Sequence, residues 1–223
     1  MQNNYLFIGA HPDDIEFGCG GTVAKLVKAG HLCTFLIATN GDQGSHSIPK
    51  TQLAQIRKQE AIEAAKTLGV NDVRFLELPD GLTHFTFDDK MAMIELIRET
   101  KPYAVFTHSK FDHHPDHEII HKLSIAAIKS AHGPWFKEAQ GSPHFVKEIY
   151  GYEVWNPINE YQMSQDISSF FELKDSALKQ HKSQIQDYPY TEAIKGLAQY
   201  RGAMVKGKGL AEVFEVLRTE FLC

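Results

Sequence analysis

Residues 5–14 read YLFIGAHPDD, and this stretch decides the fold. Its apolar part, residues 5–10, has the composition of a buried strand and ends at a histidine, a proline and two aspartates. Much later in the chain, a second apolar run at 103–107 is followed by DHHPDH at residues 112–117. Polar residues that follow the strands of an open α/β sheet lie at its carboxyl edge, where such sheets bind ligands. The sequence therefore predicts that the two histidine–aspartate clusters share one site.

Strand-like and helix-like segments alternate through most of the chain. This alternation predicts parallel β–α–β units and a twisted, mostly parallel sheet with helices on both faces. After residue 133 the pattern changes, and the later helical and strand-like segments are typical of a C-terminal cap layer. No repeat or linker interrupts the chain, so we expect one α/β domain over residues 1–223. Strands are predicted at 5–10, 32–38, 73–76, 103–107 and 149–154, and helices at 22–29, 53–68, 91–97, 119–128, 170–186 and 192–204.

The composition is typical of a soluble globular protein, with 43% hydrophobic residues and a formal net charge of -5. No cluster of lysine and arginine with interleaved aromatic residues occurs, so we expect no nucleic-acid partner. The first apolar run stops at His11 and has no basic segment before it, which predicts neither a signal peptide nor a membrane span. Cys19, Cys33 and Cys223 are scattered, so we expect no disulfide framework and no thiolate zinc site, and a cytoplasmic location.

The side chains of the two clusters indicate a metal ion. Catalytic zinc commonly has three protein ligands and keeps one position for water. His11 and Asp14 follow the first strand and His117 ends the second cluster, so these three residues are the candidate ligands. Two imidazoles and a carboxylate also suit Fe2+, so the sequence predicts Zn2+ and leaves Fe2+ or another divalent metal open. Water bound to such an ion has a pKa of about 7, which indicates metal-assisted hydrolysis.

The other polar residues of the clusters are candidates for proton transfer. One metal position does not need both aspartates, so Asp13 is free to act as general base on the metal-bound water. As an imidazolium, His114 would stabilise an oxyanion or protonate a leaving amine. Asp116 is suited to orienting a histidine. The predicted catalytic residues are therefore Asp13, His114 and Asp116.

A single His-Pro-Asp sequence has a simpler interpretation, a turn whose aspartate caps the next helix. Two such sequences at the ends of two strands make this interpretation the weaker one. The glycine-rich residues 18–21 resemble a dinucleotide-binding loop, but they lack the Gly-x-Gly-x-x-Gly spacing. His113, next to His114, is ambiguous. The histidines without partner spacing are interpreted as surface or core residues; they are His31, His46, His84, His108, His121, His132 and His144.

At these residues the sequence resembles the LmbE-like, or PIG-L, family of metal-dependent de-N-acetylases. The first family signature corresponds to AHPDDIE at residues 10–16 followed by Gly20 and Gly21, and the second to HPDH at 114–117. Looser similarities cover most of the chain, namely NG at 40–41, GS at 44–45, RKQEA at 57–61, LG at 68–69, LPDG at 78–81, Lys174, HKSQ at 181–184, YRG at 200–202 and AEVF at 211–214.

The family resemblance implies a fold, a metal and residue roles. It implies a Rossmann-like sheet and a zinc ion on His11, Asp14 and His117. It also implies that Asp13 is the general base and that His114 is the acid or the oxyanion partner.

The resemblance further implies that Arg57 binds the substrate, through a sugar hydroxyl or a phosphate. The alternative is a solvated helix face that Arg57 shares with Glu60 and Glu63. Some family members carry a tyrosine before the second histidine signature as an oxyanion aid. This chain has none there, and Tyr190 or Tyr200 from the C-terminal layer is the candidate substitute.

The leading hypothesis is a zinc-dependent hydrolase that removes an N-acetyl group from an N-acetylglucosamine-type sugar conjugate, with the metal-bound water activated by Asp13. One alternative is a hydrolase of another amide or of a phosphoester that uses the same ion. The other is a metal- or sugar-binding module without turnover. The expected partner is a small-molecule sugar conjugate. The sequence identifies neither the group attached to the sugar nor the oligomeric state, and homo-oligomers stay open.

Overall fold

Seven strands form one sheet in the part of the chain that the computed structural model describes, residues 2–82, 84–186 and 188–219. The strands are β1 (Asn4–Gly9), β2 (Leu32–Thr39), β3 (Asp72–Leu78), β4 (Ala104–His108), β5 (Glu148–Tyr152), β6 (Met163–Asp166) and β7 (Ala211–Arg218). The helices are α1 (Asp14–Lys28), α2 (Lys50–Thr67), α3 (Phe87–Thr100), α4 (Pro115–Ala131), α5 (Phe171–Leu178), α6 (Lys182–Ile185) and α7 (Tyr190–Lys206).

The strand order in the sheet is β3-β2-β1-β4-β5-β7-β6. Strands β1 to β5 pair in parallel, and β7 is antiparallel to both β5 and β6. The predicted mostly parallel sheet is therefore confirmed. The order reverses at β1, because β2 and β3 lie on one side of it and β4 and β5 on the other. Such a reversal opens a crevice at the carboxyl ends of the two central strands, here β1 and β4.

Two apolar cores lie on opposite faces of this sheet. Successive side chains of a strand point to opposite faces, so Leu6 and Ile8 of β1 belong to one core and Phe7 to the other. The first core includes side chains of α3 and α4, and the second includes side chains of α1 and α2. Helices therefore cover both faces, as predicted, and β1 is almost entirely apolar because both of its faces are buried.

Helix α1 begins at Asp14, earlier than the predicted start at residue 22. Its backbone leaves the helical region at Cys19, where φ is -142° and ψ is 18°. A glycine follows this kink because the C-terminal layer packs closely there: a Cβ on Gly21 would lie 2.8 Å from the side chain of Ile167. Close packing, rather than a bound nucleotide, accounts for this glycine.

The C-terminal layer differs most from the sequence prediction. The single helix predicted at 170–186 is divided into α5 and α6, and the strands β6 and β7 were not predicted. Strand β7 contains Glu212 and Glu215, which make it look polar, although both side chains are buried. Each has partners: Lys174 Nζ lies 2.6 Å from Oε1 of Glu212, and Lys110 Nζ lies 2.6 Å from Oε1 of Glu215.

The carboxylate of Glu212 also connects β7 to α1. It accepts hydrogen bonds from the backbone N–H groups of Gly21 and Thr22, at 2.9 and 2.7 Å. These N–H groups open the second half of α1 after the kink, so Glu212 acts there as a cap supplied by another strand. The C-terminal layer thereby fixes the helix whose first turn carries the predicted site residues.

No helix within the described residues is both long and apolar enough to cross a lipid bilayer. Cys19 and Cys33 are free, buried thiols, consistent with the expectation that they form no disulfide. Cys223 lies outside the described residues.

Candidate active site

The two histidine–aspartate clusters meet at the crevice between the ends of β1 and β4. His11 Nδ1 lies 3.1 Å from His117 Nε2, although the residues are far apart in sequence. The crevice opens into a cavity of about 1050 Å³, which is lined by residues of both clusters and by the C-terminal layer. The predicted meeting of the two clusters is therefore confirmed.

The three predicted ligands present their donor atoms to one point. Beside the contact of 3.1 Å between the two imidazoles, Asp14 Oδ2 lies 3.4 Å from His11 Nδ1 and Asp14 Oδ1 lies 3.3 Å from His117 Nε2. Tetrahedral zinc with bonds of about 2.0–2.1 Å holds its ligand atoms roughly 3.3 Å apart. The donor set therefore fits one divalent ion.

Three overlapping groups of side chains in this region could hold a metal. They are His11 with His114 and His117, Asp14 with His108 and His117, and His11 with Asp80 and Asp116. These groups overlap with the predicted ligands and surround them. The site is thus rich in metal-ligating side chains, and its architecture is that of a divalent-metal site.

The electrostatics of the cluster also favour a bound cation. Burial by itself lowers the pKa of His11 and His117, but the surrounding carboxylates together outweigh it: Asp14, Asp116 and Asp80 raise the pKa of His11 well above its usual value, and Asp14 and Asp112 raise that of His117 to about 9. Burial likewise raises the pKa of Asp14, yet the imidazoles of His117, His108 and His11 hold it well below its usual value. The cluster therefore stabilises positive charge at its centre.

Asp80 and Asp116 face the opposite nitrogen of His11. Their carboxylate oxygens lie 2.9 and 3.0 Å from Nε2. An N–H at Nε2 leaves the lone pair of Nδ1 directed at Asp14 and His117, which is the tautomer that a metal ligand needs. Asp116 has the position that orienting a histidine requires. Asp80 was missed as a site residue, although the LPDG similarity includes it.

We expect Asp116→Asn to weaken metal binding by about 10- to 100-fold, because the amide no longer holds His11 in this tautomer with a full negative charge. The dissociation constant for zinc can be measured by competition with a chelating dye. Glu118→Gln is the matched control, since Glu118 lies in the same first turn of α4 with an exposed side chain. Equal affinities of the two variants would contradict this role for Asp116.

His117 also has a carboxylate behind it. Its Nδ1 lies 3.1 Å from Oδ2 of Asp112, which is fully buried. Asp112 accepts hydrogen bonds from the backbone N–H groups of His114 and Trp155, at 3.1 and 3.0 Å. It therefore joins the second cluster to the loop after β5. The sequence alone predicts no role for Asp112.

His108, interpreted from the sequence as a surface or core residue, is a buried residue that contacts the predicted ligands. It is the last residue of β4, is fully buried, and accepts a hydrogen bond at Nε2 from the backbone N–H of Ala10, at 2.9 Å. Its ring stacks on His117 with centroids 3.9 Å apart, and Nε2 lies 3.3 Å from Oδ2 of Asp14. Burial lowers its pKa to about 4, so His108 is neutral. Its place at the carboxyl end of β4 is a sequence signal that points to the ligand-binding edge of the sheet, although it specifies no partner.

Asp13 follows Pro12 with φ 133° and ψ -21°, a backbone conformation that side-chain-bearing residues rarely adopt. Strain of this kind costs about 1–3 kcal/mol and persists where a functional position requires it. The side chain of Asp13 makes no capping hydrogen bond to α1, so the helix-cap interpretation is wrong here. Burial raises the pKa of this carboxyl group and the charge of Arg57 opposes it. Both features suit a proton acceptor.

Arg57 is 3% exposed, so the solvated-face interpretation is wrong. Its Nη2 donates hydrogen bonds to the carbonyl of Pro12 and to Oδ2 of Asp13, at 2.9 and 3.2 Å, and Nη1 donates to the carbonyl of Gly41, at 3.0 Å. Gly41 has φ 65°, and a Cβ there would lie 2.7 Å from the guanidinium. Arg57 therefore positions Asp13, and it also lines the cavity. Contact with a substrate stays a prediction.

His114 lines the cavity as a half-buried ring, 4.6 Å from the His117 ring and 5.0 Å from the His11 ring. Burial and the nearby His117 and His11 lower its pKa. The role of His114 as acid or oxyanion partner stays a prediction. The ambiguous His113 is 74% exposed and points away. Of the two tyrosines proposed as oxyanion aids, Tyr190 lines the cavity and Tyr200 does not.

The fold and this site define a class of protein, the metal-dependent hydrolases built on an open α/β sheet. The family described as "PIG-L: GlcNAc-PI de-N-acetylase" matches residues 6–128, and the chain belongs to this family. This match confirms the resemblance inferred from the two signatures and the assignment of the chain as a hydrolase of the deacetylase type.

Similar proteins of known sequence or structure support the same class. The chain is 29% identical to a diacetylchitobiose deacetylase of Thermococcus kodakarensis, over 89% of this chain and 78% of that protein. It is 28% identical to a probable N-acetyl-alpha-D-glucosaminyl L-malate deacetylase of Bacillus subtilis, over 83% and 85% of the two chains. The solved structure of N,N'-diacetylchitobiose deacetylase from Pyrococcus horikoshii has a TM-score of 0.86 and 25% identity, and covers 96% of this chain and 84% of that one.

Proposed function

We propose that this chain is a zinc-dependent deacetylase that removes the N-acetyl group of an N-acetylglucosamine-type sugar conjugate. The observation that carries the proposal is the set of donor groups of His11, Asp14 and His117, which contact one another at 3.1–3.4 Å beside a large cavity that His11 and Asp14 line. Two nitrogen donors and one carboxylate suit zinc in a catalytic site. The relatives that act on glucosaminyl amides support the substrate class.

The chemistry needs a strong nucleophile and a stabilised oxyanion at neutral pH. A divalent ion held by His11, Asp14 and His117 supplies Lewis acidity and lowers the pKa of water to about 7. Asp80 and Asp112 keep the two imidazoles oriented toward that point. His11, Asp14, His117, Asp80 and Asp112 do not react with the substrate. They would hold the positive charge of the ion next to the amide carbonyl.

Asp13 is the proposed general base. Water adds to the carbonyl carbon of the acetamide, and its proton passes to the carboxylate of Asp13. The carbon–nitrogen bond then breaks, the amine leaves with a proton, and acetate forms. Arg57 holds Asp13 in place during this transfer, and its positive charge favours the ionised form of the Asp13 carboxyl group.

His114 is the proposed partner of the oxyanion and of the leaving group. Its ring N–H donates a hydrogen bond to the carbonyl oxygen while charge develops there. The proton that Asp13 took from water passes to the departing amine, directly or by way of the His114 ring. Tyr190, on the same cavity wall, has its pKa raised to about 12 by burial and by Asp13, so its hydroxyl stays a donor.

The proposal is tested with protein stripped of metal and reloaded with zinc or with Fe2+. We expect acetate release from N-acetylglucosamine and its β-linked dimer with the loaded protein, and none with the stripped protein. Phosphoesters of the same sugars are the comparison, with phosphate release as the readout. Phosphate release without acetate release would replace the deacetylase by a phosphoesterase. Sugar binding without either product would replace it by a binding module.

A further inference from the structure

Three aromatic side chains form one wall of the cavity, and we call them the aromatic wall: Trp155, Tyr188 and Tyr190. The rings of Tyr188 and Tyr190 are stacked with centroids 5.5 Å apart, and Trp155 meets Tyr190 edge-on at 6.2 Å. The Trp155 ring lies nearly parallel to the His114 ring, with an angle of 17° and centroids 6.3 Å apart. The aromatic wall therefore begins next to His114 and extends from there along the cavity.

The backbone of the aromatic wall is held by a hydrogen bond, whereas its rings are exposed. The backbone N–H of Trp155 donates to Asp112, which also faces His117, so the wall is fastened to the same carboxylate as the metal cluster. Nevertheless, Trp155 is 55% exposed and Tyr188 is 56% exposed. Large aromatic faces that remain exposed inside a cavity are typical of a binding surface.

The charges around the wall restrict what it can bind. The cavity is lined by four carboxylates, Asp13, Asp14, Asp80 and Asp116. Arg57 is the only lysine or arginine among the described residues that line it, and its guanidinium is occupied by Asp13 and two carbonyls. The carboxylates of Asp14, Asp80 and Asp116 face His11. A phosphate or carboxylate attached to the reactive sugar would therefore find no free lysine or arginine side chain among the described residues of the cavity lining.

We propose that the aromatic wall is a subsite for a second, uncharged sugar ring linked to the N-acetylated sugar. This inference rests on the proposed deacetylase function and specifies its substrate class. A pyranose ring has an apolar face of C–H groups that packs on an aromatic ring, while its hydroxyl groups stay in water. With the acetamide at His114, the next ring along the chain lies on Trp155. The substrate is then a neutral disaccharide or longer glycan rather than an acidic conjugate.

Kinetics on paired substrates test the wall. We expect the wild-type protein to prefer the β-linked dimer of N-acetylglucosamine to the monosaccharide and to the malate conjugate by about tenfold in kcat/KM. Trp155→Ala and Tyr188→Ala should lower the dimer-to-monosaccharide ratio at least about fivefold. Trp135→Ala and Tyr200→Ala, which remove exposed aromatic rings outside the cavity, should keep the ratio. An unchanged ratio in both wall variants, or a wild-type preference for the malate conjugate, would overturn the inference.

A binding measurement separates this inference from the proposed function. The chain has 2 tryptophans, so Trp135→Phe leaves Trp155 as the only one. We expect the dimer to change the emission of Trp155 at about tenfold lower concentration than the monosaccharide. If no sugar yields acetate but the dimer still changes the emission of Trp155 at a lower concentration than the monosaccharide, the deacetylase proposal fails and the subsite stands. Equal half-saturation for the two sugars would reject the subsite even in an active deacetylase.

Discussion

Asp13→Asn should lower kcat for acetate release by about 10²- to 10⁴-fold, the usual contribution of a positioned general base. An amide at this position cannot take a proton from water, although its size and its place beside Arg57 are kept. The predicted metal ligands are not changed, so zinc content should stay at the wild-type level. Acetate release and zinc content, measured on the same preparation, check both parts of the prediction.

The control for Asp13→Asn is Asp88→Asn, an exposed aspartate in the first turn of α3. It should keep full activity. Undiminished turnover in Asp13→Asn would remove Asp13 as the base. The backbone of Asp13 makes the test sharper: φ 133° is a conformation in which glycine is favoured. A carboxylate that is present despite this strain indicates that the side chain itself is needed.

The part of the fold that could be predicted from the sequence is the part in which local pattern and burial agree. Strands β1 and β4 are nearly continuous apolar runs, and each is followed directly by polar residues with a proline. A strand that is buried on both faces consists almost entirely of apolar residues. The meeting of His11 with His117 follows from adjacent parallel strands, since their carboxyl ends share one edge of the sheet.

The residues that were missed act through partners remote in sequence. His108 ends β4 in an ordinary position for a core residue, and only the arrangement around Asp14 and His117 gives it a role. Asp80 reaches His11 from the loop after β3. In each case the local sequence carries no periodicity or spacing that specifies the partner, because the contact is made by tertiary packing.

Strand β7 was not predicted, and the solvated-face alternative for Arg57 was wrong, for a related reason: charged residues in a segment usually indicate exposure. Glu212 and Glu215 are buried with lysine partners and backbone donors, and Arg57 is buried against carbonyls and Asp13. Buried charges need such partners, since an unpaired charge is costly in the interior. The partners come from other elements, so the sequence around each charge resembles a solvated face.

His117→Ala should abolish zinc binding at micromolar concentrations and lower acetate release by on the order of 10³-fold or more, since the ion contributes several kcal/mol to such reactions. Removal of the imidazole takes away one of three donors and leaves Asp112 buried without its nearest cation. Added zinc should therefore not restore the variant, whereas it should restore wild-type protein that has been stripped with a chelator. Zinc titration followed by an acetate assay measures both effects.

His113→Ala is the matched control for His117→Ala, because it removes an imidazole from the same cluster that is 74% exposed and lies outside the cavity. It should bind zinc and release acetate within about twofold of the wild type, as exposed side chains without such contacts usually allow. The comparison of the two variants shows whether zinc binding depends on the position of the imidazole or only on the number of histidines in the motif. Zinc retention and full activity in His117→Ala would mean that the ion is held by the candidate group that lacks His117, namely His11, Asp80 and Asp116. In that case Asp80 from the loop after β3 would be a ligand, together with His11 after β1 and Asp116 in the first turn of α4.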